Sequence, residues 1–283
     1  MSANPRIDAH VHFWKLARGD YGWITPELAP LMRDFGPDDL RPHLAAAGID
    51  AVVLVQAAPT AAETRFLLDV AAAEPLVAGV VGWTDMAASD APDAVAALAE
   101  NPRLRGVRPM IQDIPDTDWM LRAEPAPAFR AVAETGLRFD ALVKPQHLRN
   151  LRRLLERHPD LKTVIDHGAK PDIAGGGFAA WADDIQAVAE GSAALCKLSG
   201  LTTEAGAGWR ADDLRPTIDH LVAVFGPERL MFGSDWPVLT LAATYEAWRS
   251  ALAACLSGLD DAALAGIYGG NAARFYGLAA APA

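Results

Sequence analysis

Asp8-Ala9-His10-Val11-His12 closes the first apolar run of the chain, and its composition chooses between two ways of arranging everything that follows. An open, doubly wound sheet usually carries a glycine-rich phosphate turn at this point. Here there is no glycine, and two imidazoles stand in its place. Working outward, short β-branched runs alternate with longer stretches of helical period. The runs are Arg6–His12, Ala51–Gln56, Leu76–Trp83, Leu104–Pro109, Leu137–Val143, Leu161–His167, Ala194–Ser199 and Arg229–Trp236. Ala51-Val52-Val53-Leu54-Val55 is continuously apolar, as a strand buried on both faces requires. Between the runs, Leu214, Ile218, Leu221, Val222 and Phe225 form one helical stripe, and Tyr245, Trp248, Leu252, Cys255 and Leu256 form another. Helix signals agree: Gly36-Pro37-Asp38-Asp39 opens one and Ala47-Gly48 closes it, Pro145 to His158 frames another, and Gly226-Pro227 stops a third. The expected fold class is α/β, a closed (β/α)8 TIM barrel forming one domain over residues 1–283. Segments 13–35 and 112–124, which follow strand ends and are rich in Trp, Tyr, Asp and Pro, are expected as lid-like loops. A last helix over 260–278 is expected on the outside or bottom of the barrel.

Composition removes several classes of function. With 283 residues, 51% of them hydrophobic, the chain can bury a large core, so disorder is excluded. No apolar stretch reaches the ~20 residues of a membrane span. Two distant cysteines, Cys196 and Cys255, make neither a disulfide framework nor a C-x-x-C site. The net charge of −11, without a Lys/Arg cluster, argues against nucleic acid as a partner. The first residues, Met1-Ser2-Ala3-Asn4-Pro5-Arg6, lack the basic-then-apolar order of a secretory signal, so a cytoplasmic protein is expected.

Polar residues that end apolar strands of a parallel barrel converge on one mouth. By that rule His10, His12, Gln56, Trp83, Arg108, Asp140 or Lys144, His167, Lys197 and Asp235 are brought together. His10 and His12 fall on one side of an extended strand because side chains alternate with period two. With His167 and Asp235 they make three nitrogens and one oxygen, a set that can bind a zinc ion or work without metal. Each residue also has a plainer reading. The histidines can satisfy backbone groups, Asp235 can cap a turn, and Lys197 either points into the mouth or snorkels outward. His43, His147, His158 and His220 lie on helical stretches and read as surface or packing residues. Trp83 and Trp236 are placed to wall a small polar substrate.

Several motifs together resemble a known family. They are Asp8-Ala9-His10-Val11-His12-Phe13-Trp14, Leu104-Arg105-Gly106-Val107-Arg108, Asp166-His167-Gly168-Ala169-Lys170-Pro171, Cys196-Lys197-Leu198-Ser199-Gly200-Leu201, Phe232-Gly233-Ser234-Asp235-Trp236-Pro237 and Gly269-Gly270-Asn271-Ala272. This set resembles the amidohydrolase-2 branch of the amidohydrolase superfamily, and within it sugar lactonases of the L-fuconolactonase type. The resemblance implies a distorted (β/α)8 barrel that hydrolyses a lactone or a related bond, with one divalent metal or none.

On this reading Asp235 activates water, and His10, His12 and His167 polarise the carbonyl directly or through one divalent ion such as Zn²⁺ held by these same four residues. Trp83, Arg108, Lys197, Tyr21 and Trp23 are expected to bind substrate, a small-molecule sugar (aldono) lactone. A decarboxylase or amide hydrolase of the same superfamily, acting on a dicarboxylate lactone or amide, is the second reading. A non-catalytic barrel that binds a sugar acid is the third, and homo-oligomer formation stays open.

Overall fold

A computed structural model of the chain describes residues 5–278. Eight parallel strands run in the order β1 to β8: β1 Ile7–Val11, β2 Ala51–Val55, β3 Val77–Gly82, β4 Leu104–Val107, β5 Arg138–Ala141, β6 Thr163–Ile165, β7 Leu195–Leu198 and β8 Leu230–Phe232. A parallel bridge between Val11 and Trp236 joins the last strand to the first. There the His12 N–H donates to the Trp236 carbonyl at 2.8 Å and the Asp235 N–H to the His10 carbonyl at 2.9 Å. This is the expected barrel. Each strand lies inside its expected span and stops short of the expected C-terminal end, because the residues there leave the ladder to build the mouth.

The helices are α1 Pro37–Ala47, α2 Ala61–Ala73, α3 Ala91–Ala99, α4 Ala126–Thr135, α5 Leu148–Arg157, α6 Phe178–Gly191, α7 Leu201–Glu204, α8 Ala211–Phe225, α9 Tyr245–Cys255, α10 Asp261–Ala265 and α11 Asn271–Tyr276. Their boundaries follow from local chemistry. Helix α1 begins with Pro37 at its first position, has Asp39 accepting the Gly36 N–H at 3.0 Å, and ends at Gly48 in the left-handed region. Helix α5 buries Leu148, Leu151, Leu154 and Leu155 and turns its arginines outward. Its apolar stripe is what holds it to the sheet.

Alternation along the strands creates two apolar layers. Ala51, Val53 and Val55 face the lumen together with Ile7, Ala9, Val81, Val164 and Met231, whereas Val52 and Leu54 face the helices. The helix expected over 260–278 is divided. Between α10 and α11 the chain widens into one π turn, Gly266–Gly270, where Gly269 lies so close to the first described residues that a Cβ would sit 1.9 Å from the Pro5 carbonyl. Past that turn Ala272, Phe275 and Tyr276 join the lumen residues, so α11 plugs the N-terminal end of the barrel. Segment 13–35 is tied down by an antiparallel bridge between Trp14 and Phe35, and Asn150 holds segment 112–124 by bonds to Thr117 and Asp118. Among the described residues no helix is long and apolar enough to cross a membrane.

Candidate functional site

The first strand does more than alternate. Its pairing with β2 shifts register between Asp8 and Val11, so one extra residue is fitted into β1. Asp8, between lumen-facing Ile7 and Ala9, points outward by alternation, and the extra residue after it lets His10 turn inward; the Asp8 carboxylate accepts the Ser234 N–H at 2.8 Å and the Tyr245 hydroxyl at 2.9 Å. Burial outweighs those bonds and raises its pKa to about 6. His10 and His12 point inward. Their Nε2 atoms are 3.2 Å apart, and His12 Nδ1 donates to the Val55 carbonyl at 2.8 Å.

His167 reaches the same place by a different device. Val164 and Asp166 face the lumen and Ile165 faces out, so strict alternation would turn His167 away. Instead His167, Gly168, Ala169 and Lys170 all have positive φ, at 56°, 58°, 62° and 51°. For the non-glycine members this costs roughly 1–2 kcal/mol each, strain that persists only where the surroundings enforce it. The left-handed turn swings the His167 ring over the mouth, where Nδ1 meets Ser199 Oγ at 2.8 Å. Gly200 makes room for it, since a Cβ there would lie 2.6 Å from His167 Nδ1. Asp235 also has positive φ, 61°. Its Oδ1 lies 3.2 Å from His12 Nε2, 3.7 Å from His10 Nε2 and 3.8 Å from His167 Nε2.

Beneath the imidazoles lies a buried ionic floor. Lys197 Nζ is 2.6 Å from Asp140 Oδ2, 3.0 Å from Asp166 Oδ1 and 3.1 Å from His10 Nδ1. Arg108 donates through Nη1 to Asp166 Oδ2 at 3.3 Å and through Nη2 to the Gln56 carbonyl, while Gln56 Nε2 returns a bond to the Arg108 carbonyl at 2.6 Å. Tyr276, from the plug helix, donates to Asp140 Oδ2 at 2.7 Å. Unpaired, such charges would be very costly to bury. Burial alone would raise the pKa of Asp166, but Lys197, His10 and Arg108 hold it well below the usual carboxylate range. Asp140, whose burial is less fully offset, titrates above its usual value. Burial and the charge of Lys197 push His10 well below 6.5, so the ring is neutral at neutral pH. Burial likewise lowers His167 to about 4. Asp235 is depressed despite burial, first by the charge of His167 and then by the adjoining His12.

His10, His12 and Asp235 bring one donor atom each into a single buried group, with His167 beside them. Zinc with nitrogen and oxygen donors at 2.0–2.2 Å in tetrahedral geometry needs donor separations of roughly 3.3–3.6 Å. The 3.2, 3.2 and 3.7 Å separations among His10, His12 and Asp235 are near that range, while His167, 3.8 Å from Asp235, falls in a second buried group with His10 and Asp166.

The profile of the amidohydrolase family matches residues 7–278. The chain belongs to the amidohydrolase family. It is 45% identical to the L-fucono-1,5-lactonase of Burkholderia ambifaria, covering 96% of this chain and 95% of that one. It is 38% identical to the L-fucono-1,5-lactonase of Burkholderia multivorans, covering 96% of each. A crystal structure of an amidohydrolase from Burkholderia multivorans with bound zinc superposes with a TM-score of 0.92 at 37% identity, covering 97% of this chain and all of that one.

In this amidohydrolase the remaining expected residues divide into two groups. Trp83 stays at the mouth, where with Asp85, Met110, Asp113 and Trp119 it lines a cavity of about 240 Å³. Trp23 is half-buried and gives its indole N–H to the Ala57 carbonyl at 2.7 Å. Tyr21 is buried and gives its hydroxyl to Glu63 Oε2, whose other oxygen accepts the Ala57 N–H at 3.0 Å. Lys197 requires a correction. It points inward but is 0% exposed, donating to Asp140 Oδ2 and facing His10 Nδ1, with Asp166 Oδ1 3.0 Å away as an ion pair, so its ammonium group is surrounded by the protein. Arg108 is also buried, against the floor. Sequence reasoning assigned no role to Asp166, Ser199 or Gly200. Asp166 was legible in principle, because period two from the apolar Val164 points it into the lumen.

Proposed function

We propose that this hydrolase opens a neutral sugar lactone, a six-membered aldono-1,5-lactone like those for which its Burkholderia relatives are named, to the sugar acid. The observation that carries the reading is the meeting of three imidazoles and one carboxylate at the barrel mouth. Asp235 takes a proton from water as the oxygen adds to the lactone carbonyl carbon. It returns that proton to the ring oxygen as the carbon–oxygen bond breaks, which balances the hydrolysis. Its neighbours hold Asp235 below the usual carboxylate range, so the carboxylate is ionised and able to accept a proton near neutrality. His10, His12 and His167 face the carbonyl oxygen, where negative charge develops.

The same three histidines and Asp235 would hold one divalent cation, which when bound supplies Lewis-acid polarisation of the carbonyl. Trp83 and the cavity beside it receive the sugar ring, with segment 112–124 contributing Asp113, Ile114 and Trp119 to its wall. A chain of net charge −11 offers no long-range attraction to anions, which favours a neutral lactone over a dicarboxylate. The test is acid release from a panel of aldonolactones, followed with a pH indicator. Release above the buffer rate, fastest for a 1,5-lactone of the L-fucono configuration, supports the proposal. Carbon dioxide from a carboxylate or ammonia from an amide, with lactones untouched, would move the enzyme to another reaction of the superfamily. Tight sugar-acid binding without turnover would make it a binding protein.

A further inference from the structure

The ionic floor contains an ordered set of donors and acceptors that reaches the imidazoles. An ammonium group has three N–H donors and no acceptor. Those of Lys197 reach Asp140 Oδ2 at 2.6 Å and His10 Nδ1 at 3.1 Å, while Asp166 Oδ1 lies 3.0 Å from Nζ as an ion pair and accepts no hydrogen bond among the described residues. A neutral imidazole carries one proton, so a ring that accepts at Nδ1 must carry it on Nε2. That Nε2–H faces His12 Nε2 at 3.2 Å. His12 Nε2 can accept, because His12 Nδ1 donates to the Val55 carbonyl at 2.8 Å, and the Asp235 carboxylate faces that same Nε2 at 3.2 Å. Donors and acceptors thus run in one direction from Lys197 through both histidines to the backbone of β2.

Asp166 pulls the other way. Its Oδ1 lies 3.4 Å from the same His10 Nδ1, and it can accept only if the proton sits there. In that tautomer Nε2 is bare and able to ligate a cation, the arrangement in which a carboxylate orients a ligating histidine. Arg108 Nη1, 3.4 Å from His10 Nε2, has Asp166 Oδ2 at 3.3 Å to receive its proton.

We infer that Lys197 is a positioning residue that selects the Nε2–H tautomer of His10 against Asp166, and so sets how readily His10 yields its Nε2 lone pair to a cation. The consequence for cation binding rests on the proposed ion-holding role of His10, whereas the tautomer does not. Removing the lysine alone would leave two buried carboxylates facing one arginine. Replacing Lys197 together with its nearest carboxylate keeps the buried charge balanced, in the double variant Asp140→Asn/Lys197→Met.

The primary measurement is nitrogen NMR of histidine-labelled, metal-stripped protein. The wild type is expected to show His10 protonated on Nε2 and accepting at Nδ1, and the double variant to show the proton on Nδ1. Titration with cobalt(II), read by its visible spectrum, follows. The double variant should bind about tenfold more tightly, and Asp166→Asn roughly 10–100-fold more weakly. Opposite signs at two neighbours of one nitrogen are not what a purely structural role gives. A wild-type His10 protonated on Nδ1 overturns the inference, whether or not the variants fold, and so do affinity changes of the same sign. If the Nε2–H tautomer is present and no form binds cobalt, Lys197's selection of the tautomer stands and the ion drops out of the proposed reaction.

Discussion

His12 Nε2 and Asp235 Oδ1 stand 3.2 Å apart although 223 residues separate them in the chain. The contact exists because the ladder closes between Val11 and Trp236, which brings the first strand beside the last. Every chemical expectation for this protein passes through that seam.

Replacing Asp235 by Asn removes the base and leaves an isosteric side chain among the imidazoles. Turnover of the lactone should fall by about 10²–10⁴, with the circular dichroism spectrum unchanged. Wild-type turnover in the variant would take Asp235 out of the mechanism.

Gly200→Ala tests the packing beneath His167. The new Cβ would lie 2.6 Å from His167 Nδ1, and the residue has φ +63°. The expected result is a loss of about 1–2 kcal/mol in stability from the left-handed backbone and a fall in kcat larger than any rise in KM. A variant with unaltered kcat would show that the ring need not sit where Gly200 allows it.

Stability should depend on pH through His167. Its folded-state pKa of about 4 lies below the ordinary histidine value of 6.5, so the unfolded chain binds the extra proton between those values. Stability is therefore present above pH 6.5 and is lost as pH falls toward 4, by about 3 kcal/mol for this group at 1.36 kcal/mol per unit. Denaturant unfolding of the metal-stripped protein at pH 7 and pH 4 measures it. His167→Asn should show a smaller difference, and an equal difference would assign the acid sensitivity elsewhere.

Tyr21→Phe separates packing from substrate contact. The change leaves buried Glu63 without its phenolic donor and should cost about 1–3 kcal/mol, read by thermal or urea unfolding. KM should stay near the wild-type value. A raised KM at unchanged stability would instead place Tyr21 against the sugar.

Removing divalent metal with a chelator should lower both turnover and the thermal midpoint, and zinc should restore them. An ion present at 100 times its Kd stabilises the folded state by about 2.7 kcal/mol. Full activity after chelation, with no metal left by elemental analysis, would rule out a required ion.

The chain alone determined the repeat. Apolar runs buried on both faces, stripes of helical period and the absence of a glycine-rich turn after Asp8-Ala9-His10-Val11-His12 are local properties, so the order of strands and the mouth-facing ends of β1 and β8 were legible in it. Tertiary structure decided the rest, because the deciding interactions break local rules. The extra residue in β1 puts Asp8 on the opposite side from His10 and His12. The left-handed turn at His167 lets two consecutive residues, Asp166 and His167, both serve the lumen, which no alternating strand permits. Lys197 could be placed only once β5, β6 and β1 had brought Asp140, Asp166 and His10 around it. Period and composition act along the chain, whereas a buried charge is positioned by partners that only the closed barrel brings within 3 Å or so of it.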